Sequence, residues 1–425
     1  MKASAELAPA LCSASKIVGR VAAGKSFAEE RVALDGAARD SARAALLDIV
    51  QGTLRRYGRV QAIARALSSR GRAQPALEAL LWCAIYALES GRYADYTVVD
   101  QAVRACALLE RWSAKGYVNA VLRGLLRERK SIEETVAADP EARFQHPAWW
   151  IEMLRAAYPE QWCAVLEAGN ARPPMCLRIN RRRASIDGYI ERAAAAGVVA
   201  RRIGEAGLIL DEPVPVERLP GFAEGEVSVQ DAGAQRAAGL LQLAAGQRVL
   251  DACAAPGGKS GHILELVDVQ LTAIDADAAR CQRVQQNLSR LGLAAQVRVA
   301  DCVRPGEWWD GRPFDRVLAD VPCSASGVVR RHPDLKWLRR AADVGAFAAR
   351  QASMLDALWQ VLAPDGKLLY VTCSMFPGEN EDVVSAFVAR TPGARRVPLP
   401  DGAPAQWLPD SEHDGFFHAL IEKPA

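Results

Sequence analysis

From Ser41 to about Glu134 apolar residues recur at helical spacing, as in Ala44, Leu47, Val50 and Leu54. Ala, Leu, Arg and Glu dominate this stretch, and all favour helix. Pro75 opens a second apolar helix over Leu77 to Leu88, because proline suits the first helical turn. A third follows Tyr96 through Val98, Val103 and Leu108. A fourth, Lys115 to Arg129, gathers Val118, Val121, Leu122 and Leu125 on one face and sets Arg123, Arg127 and Arg129 elsewhere. No strand pattern interrupts, so residues 1–145 are expected to form an all-α domain. Asp139-Pro140 and His146-Pro147 punctuate a linker. Ala148 to Glu167 then reads as one or two helices interrupted at Pro159. Met175 to Asn180 reads as a strand, followed by an alanine-rich helix and two short β segments to about Val229. Residues 146–230 are therefore expected to hold linker helices and a small α+β subdomain.

At Asp231 the pattern changes to strand–helix alternation. Candidate strands are Arg248–Ala252, Leu271–Ile274, Gln296–Val299, Arg316–Ala319 and Lys367–Val371. Such alternation implies a mostly parallel sheet covered by helices, so residues 231–425 are expected to form an α/β, Rossmann-like domain.

Composition changes this picture little. The chain has 425 residues, too many for one core, and 24% of them are charged. No run of apolar residues is long enough to span a membrane, and the N-terminus lacks the pattern of a secretory signal. Ten cysteines without a Cys-x-x-Cys pair, and five histidines, argue against a zinc site and against a disulfide framework. A reducing cytoplasm, no metal and a monomer are the expectations. Charge is uneven: residues 1–145 carry 22 Lys and Arg against 16 Asp and Glu, a net +6, while the whole chain carries only +3. A basic N-terminal domain suits a polyanionic partner, although charge alone does not separate this from an ordinary solvated surface.

The strongest local chemistry is Asp251-Ala-Cys253-Ala254-Ala255-Pro256-Gly257-Gly258-Lys259-Ser260, directly after a strand. A glycine-rich turn between strand and helix lets backbone approach a ligand and aims amides at it. It is not a P-loop, since the upstream glycine is missing and cysteine stands at 253. Asp275, 24 residues past Asp251, ends the second strand of the domain, where a carboxylate can accept from ribose hydroxyls. Asp301 ends the third strand, beside an expected adenine edge, and Asp320 the fourth. One such aspartate is more often a helix cap or turn residue. Four at successive strand ends make a ligand site.

Asp320-Val-Pro322-Cys323-Ser324 follows the fourth strand and Thr372-Cys373-Ser374 the fifth. Cys106, Cys163 and Cys281 are read as structural, but these two sit where ligands bind. Carbon 5 of cytosine is a weak nucleophile. A thiolate adding at carbon 6, helped by a hydrogen bond or proton at ring nitrogen 3, turns carbon 5 into an enamine-like nucleophile. Asp320 is placed for the cytosine edge. Spacing does not rank the two cysteines, separate RNA from DNA or name cytosine as the target base.

These motifs, with Ser228-Val-Gln-Asp231-Ala, Arg330-Arg-His-Pro-Asp-Leu-Lys336-Trp and His413-Asp-Gly-Phe-Phe417, resemble the Sun family of RNA cytosine-C5 methyltransferases. The likeness spans the chain, the helical region resembling a NusB-like RNA-binding domain. It implies S-adenosylmethionine as cofactor, held by Cys253 to Lys259, Asp275, Asp301 and Asp320. It implies Cys373 as nucleophile, Cys323 in product release, and small-subunit (16S) ribosomal RNA as partner. Ser260 and Ser326 depart slightly from the usual residues. RNA contacts are expected from Arg181, Arg182 and Arg183 and from Arg330, Arg331 and Lys336, where cations stand near an aromatic residue. Competing readings are a non-catalytic RNA-binding or assembly factor and a methyltransferase acting on another RNA, such as tRNA.

Overall fold

The computed structural model describes residues 7–32, 40–68 and 74–425. The remaining residues, all within the expected 1–145 domain, lie outside the described ones. The chain divides into two compact units: Met1–Ala171 with Val329–Arg340, and Arg172–Val328 with Ala341–Ala425.

The first unit is helical throughout its described residues. Its central helix, Pro75–Glu89, buries Leu77 and every residue from Ala79 to Leu88. A helix apolar all round is one surrounded by others. Leu7–Ala22, Asp40–Arg55 and Asp95–Leu108 pack on it. Ala148–Ala157 and Trp162–Asn170 belong to this compact unit, which runs to Ala171. Asn170 Nδ2 donates to Phe144 O at 2.8 Å, and Phe144 meets Trp162 with ring centroids 5.0 Å apart.

One feature departs from expectation: the segment 329–340 follows the first cysteine loop in sequence yet packs within the helical unit. Asp334 accepts from Phe27 N at 2.9 Å, and Trp337 Nε1 donates to Leu54 O at 3.2 Å. Lys336 is fully buried, and its Nζ donates to Arg55 O at 3.2 Å and Asn170 Oδ1 at 2.7 Å. Burial, then the charge of Arg55, push this amine well below its ordinary range. Arg330 is buried as well, its carbonyl accepting from Arg55 Nη2 at 3.0 Å. The expectation that Arg330 and Lys336 meet RNA is therefore corrected. Their polar ends face protein rather than solvent, because the helical unit offers this segment a polar recess. Arg331 is half-buried.

The second unit contains two sheets. Strands β1 (Met175–Ile179), β2 (Ala200–Ile203), β3 (Gly207–Leu210) and β4 (Val227–Val229) form an antiparallel sheet in the order β2-β3-β1-β4. Behind it lies the helix Ile186–Ala195, burying Tyr189 and Ala193. The larger sheet has β5 (Arg248–Ala252), β6 (Gln270–Asp275), β7 (Gln296–Val299), β8 (Phe314–Asp320), β9 (Leu362–Thr372), β10 (Arg395–Val397), β11 (Gln406–Trp407) and β12 (Phe416–Glu422). Its order is β10-β12-β9-β8-β5-β6-β7, with β11 on β12. The five strands from β9 to β7 run parallel, and β12 pairs antiparallel with β9. The mostly parallel, Rossmann-like sheet is thus as expected. Its five parallel carboxyl ends lie along one edge, where the crevices of such sheets take ligands.

Candidate active site

The turn after β5 is built for close approach. Cys253 has φ 65°, and Gly257 has φ 95° at the start of the helix Gly258–Leu266. A Cβ on Gly257 would stand a tight 3.1 Å from the backbone of Val284, and φ 95° is a conformation that favours glycine. The carboxylate of Asp275 is drawn into this turn, Oδ2 accepting from Ala255 N at 3.3 Å and Oδ1 from Asp277 N at 3.1 Å. Arg280 lies 3.4 Å from Oδ2. Asp301, just past β7, is half-buried and accepts from Val303 N at 3.2 Å.

Asp251 turns inward. Its Oδ2 accepts from Ser260 Oγ at 2.5 Å, while Oδ1 is buried with no hydrogen-bond partner. Burial pushes this carboxyl up to about 7, against the opposing Ser260 bond. The neighbouring Cys302, and then burial, raise the Cys253 thiol well above its ordinary range.

Lys259 Nζ meets Asp320 Oδ2 at 2.6 Å. Burial would lower the lysine, but Asp320, and after it Cys373, hold it above its ordinary value, so it stays a cation. Beyond Asp320, at the next strand end, the two cysteines converge: Cys323 Sγ and Cys373 Sγ are 3.4 Å apart. The hydrogen bond with Cys373, then burial, raises the Cys323 thiol far above its usual range. Cys323 is buried and Cys373 is only partly so.

The loops carrying the sulfurs are locked by neighbours. Gly327 N donates to Cys373 O at 2.8 Å, and Gly415 N to Gly327 O at 2.9 Å. A Cβ on Gly327 would lie 2.3 Å from Gly415 O. The two outlying motifs hold one another: Asp231 caps the helix Ala232–Leu240 through Gly233 N at 2.9 Å and accepts from Asp414 N at 3.1 Å.

Two residues escaped the reading of the sequence. Arg178 on β1, fully buried, grips Glu265 through two 2.8 Å bonds and donates to Gly258 O at 2.9 Å. The small sheet is thereby tied to the helix that follows the glycine turn. An arginine inside an otherwise apolar strand was the available signal. Glu379, also fully buried, bonds to both cysteine loops. Of the first basic cluster, all three residues are exposed, but Arg182 binds Glu265 O at 2.9 Å and Asp268 at 2.7 Å, and Arg183 binds Glu224 O at 2.6 Å. Arg181 is the loosest, 3.8 Å from Glu205.

The sequence profile described as NusB family matches residues 13–127. That of an RsmF/B-like ferredoxin-like domain matches 146–217, and that of 16S rRNA methyltransferase RsmB/F matches 238–422. Ribosomal RNA small subunit methyltransferase B of Pseudomonas syringae is 44% identical over 395 residues, covering 88% of each chain. The chain belongs to this methyltransferase B family. Its Vibrio cholerae member is 43% identical, covering 89% of each chain. The crystal structure of PH0851 shares the fold, with TM-score 0.79 at 22% identity over 97% of this chain and 99% of that one. Apart from Ser228-Val-Gln-Asp231-Ala, the motifs from which the Sun-family likeness was read lie within the matched segment 238–422.

Proposed function

We propose that this chain transfers a methyl group from S-adenosylmethionine to carbon 5 of a cytosine in small-subunit ribosomal RNA, through a covalent bond between Cys373 and carbon 6. The observation that carries this reading is the pair of sulfurs 3.4 Å apart, at the ends of neighbouring parallel strands, beside the Lys259–Asp320 ion pair. Methylation of an exocyclic amine needs no thiol.

The turn from Cys253 to Lys259, with Asp275, Asp301 and Asp320, would hold the cofactor. The residues fit it. Asp275 keeps a carboxylate at the β6 end for ribose hydroxyls, the Gly257 cradle excludes side chains, and Asp251 Oδ1 is an acceptor left open. When bound, S-adenosylmethionine supplies an electrophilic methyl on a sulfonium. Cys373, the more accessible sulfur, adds to carbon 6 as thiolate. Asp320 meets the cytosine edge, where a hydrogen bond or proton at nitrogen 3 favours addition, and Lys259 fixes that carboxylate. The electron pair reaching carbon 5 would take the methyl as the methyl–sulfonium bond breaks, its pair staying on sulfur as a neutral thioether. A base then takes the carbon 5 proton, and the freed pair restores the double bond while the carbon 6–sulfur pair returns to Cys373. Cys323, held protonated at neutral pH by its raised thiol, serves this release.

Two variants test the reading. Cys373→Ala should abolish methylation and form no RNA adduct. Cys323→Ala should allow methyl transfer and then stall, leaving protein linked to RNA as a slow band on a denaturing gel. An adduct with Cys373→Ala instead would reverse the two roles. Bisulfite sequencing of ribosomal and transfer RNA from cells with and without the gene tests the substrate; unchanged ribosomal RNA would exclude it.

A further inference from the structure

Glu379 ends the short turn Pro377–Glu379, five residues after Ser374, and is fully buried. Its Oε1 accepts from Ser324 N at 2.7 Å and from Gln351 Nε2 at 3.4 Å. Its Oε2 accepts from Ser374 Oγ at 2.6 Å. Ser324 directly follows Cys323, and Ser374 directly follows Cys373. One carboxylate thus holds the residue after each cysteine. Its own backbone is anchored, since Tyr370 OH donates to Glu379 O at 2.6 Å. The hydroxyls of Ser324, Ser326 and Ser374 lie 3.2 Å from one another beside it, and Ser326 Oγ accepts from Met375 N at 2.6 Å. Burial drives the Glu379 carboxyl up while the Ser324 and Ser374 bonds oppose that shift. A carboxylate kept from water is costly unless several donors meet it, and here the donors come from both loops.

We propose that Glu379 is a positioning residue that clamps the two cysteine loops together and so sets the separation of the Cys323 and Cys373 sulfurs. This rests on the two-thiol reading above. Glu379 acts through Ser324 and Ser374 rather than on the cytosine.

The test measures geometry and turnover separately. Diamide joins two thiols only where the sulfurs can reach a bond of about 2 Å, taking up the two electrons and two protons released. The rate of Cys323–Cys373 disulfide formation, mapped by peptide mass spectrometry, therefore reports on the clamp without any methylation. Glu379→Ala loses both acceptors. It should slow cross-linking and lower kcat, each by about tenfold or more, the scale of one lost charge-assisted hydrogen bond. The dissociation constant for S-adenosylmethionine should change by less than about twofold, since Glu379 lies outside the glycine turn. Glu379→Gln keeps an acceptor for Ser324 N–H and turns its amide toward a serine hydroxyl that can rotate to accept. It should recover most of both rates. Wild-type cross-linking in Glu379→Ala, whatever its melting temperature, would reduce Glu379 to a fold-stabilising residue and overturn the proposal. Should Glu379→Ala not fold, Ser374→Ala releases only the second loop and carries the same expectation, and wild-type rates there would overturn it equally. If the cross-linking contrast holds while no variant methylates cytosine, the clamp stands and the functional reading falls.

Discussion

Asp251 carries a carboxyl raised to about 7 by burial, with one oxygen unpartnered. The folded chain therefore holds a proton that the unfolded chain, with an ordinary carboxyl near 4, has already lost. Its contribution to stability is most favourable below the unfolded value and declines as pH rises from about 4 to about 7, by on the order of 4 kcal/mol. Asp251→Asn cannot ionise, so its stability relative to the wild type should climb across that window and level off above it. Urea titrations at pH 4, 5.5, 7 and 8.5 check this; a constant difference would place the raised carboxyl elsewhere. The same residue shows where reading residue types stops. Aspartate at four strand ends was legible, but the direction in which each carboxylate turns was not. One faces inward to Ser260, one is drawn into the glycine turn, and one meets Lys259. Glu379 was illegible for a related reason. In Pro-Gly-Glu-Asn it reads as a turn residue, and only packing reveals that Ser324 N, Gln351 Nε2 and Ser374 Oγ converge on it.

At the scale of elements, periodicity located what is local. The parallel strands fell where the apolar runs are, and the glycine turn sat between strand and helix. The strand β12 was missed as an element, although its first residues were singled out as a motif. Its pairing with β9 is antiparallel and interrupts the alternation that had identified the others. Ties between elements were missed too, above all the Arg178–Glu265 bridge that fastens β1 to the helix Gly258–Leu266. Arg178→Ala would leave Glu265 buried and uncompensated, so unfolding free energy should fall by about 3–5 kcal/mol. Exchanging both residues for apolar ones of similar volume, Arg178→Met with Glu265→Leu, should restore much of that loss. Chemical denaturation of the three proteins separates the two outcomes. A double variant no better than the single one would show that the bond from Arg178 to Gly258 O, and not the ion pair, is what matters.

At the scale of the whole molecule, the division into helical, mixed and α/β regions was legible from the change in pattern along the chain. Membership of the segment 329–340 was not, because a run of Arg, His and Lys carries the signature of a solvated surface wherever it packs. The excess of positive charge in residues 1–145 remains, and with it the expectation that this region strengthens RNA binding electrostatically. A chain starting at Arg172, with 329–340 replaced by a short Gly-Ser linker, should bind S-adenosylmethionine normally. It should bind RNA more weakly, with a shallower dependence of affinity on salt. Filter binding at several salt concentrations checks this; equal slopes would assign the electrostatic contribution to the remaining unit. The same truncation without the linker should be less soluble, since Val329, Pro333 and Lys336 would lose the surroundings that bury them.

The borrowed segment also bears on how the chain is made. A ribosome releases the first 171 residues long before residue 340 leaves the exit tunnel, and domains ordinarily fold as they emerge. Here the recess lined by Leu54, Arg55 and Asn170 stays empty until residues 172–328 of the second unit have been synthesised. The helical unit therefore reaches its final form late, and completing it is a sign that the strand ending in Asp320, and Cys323 after it, have already been delivered.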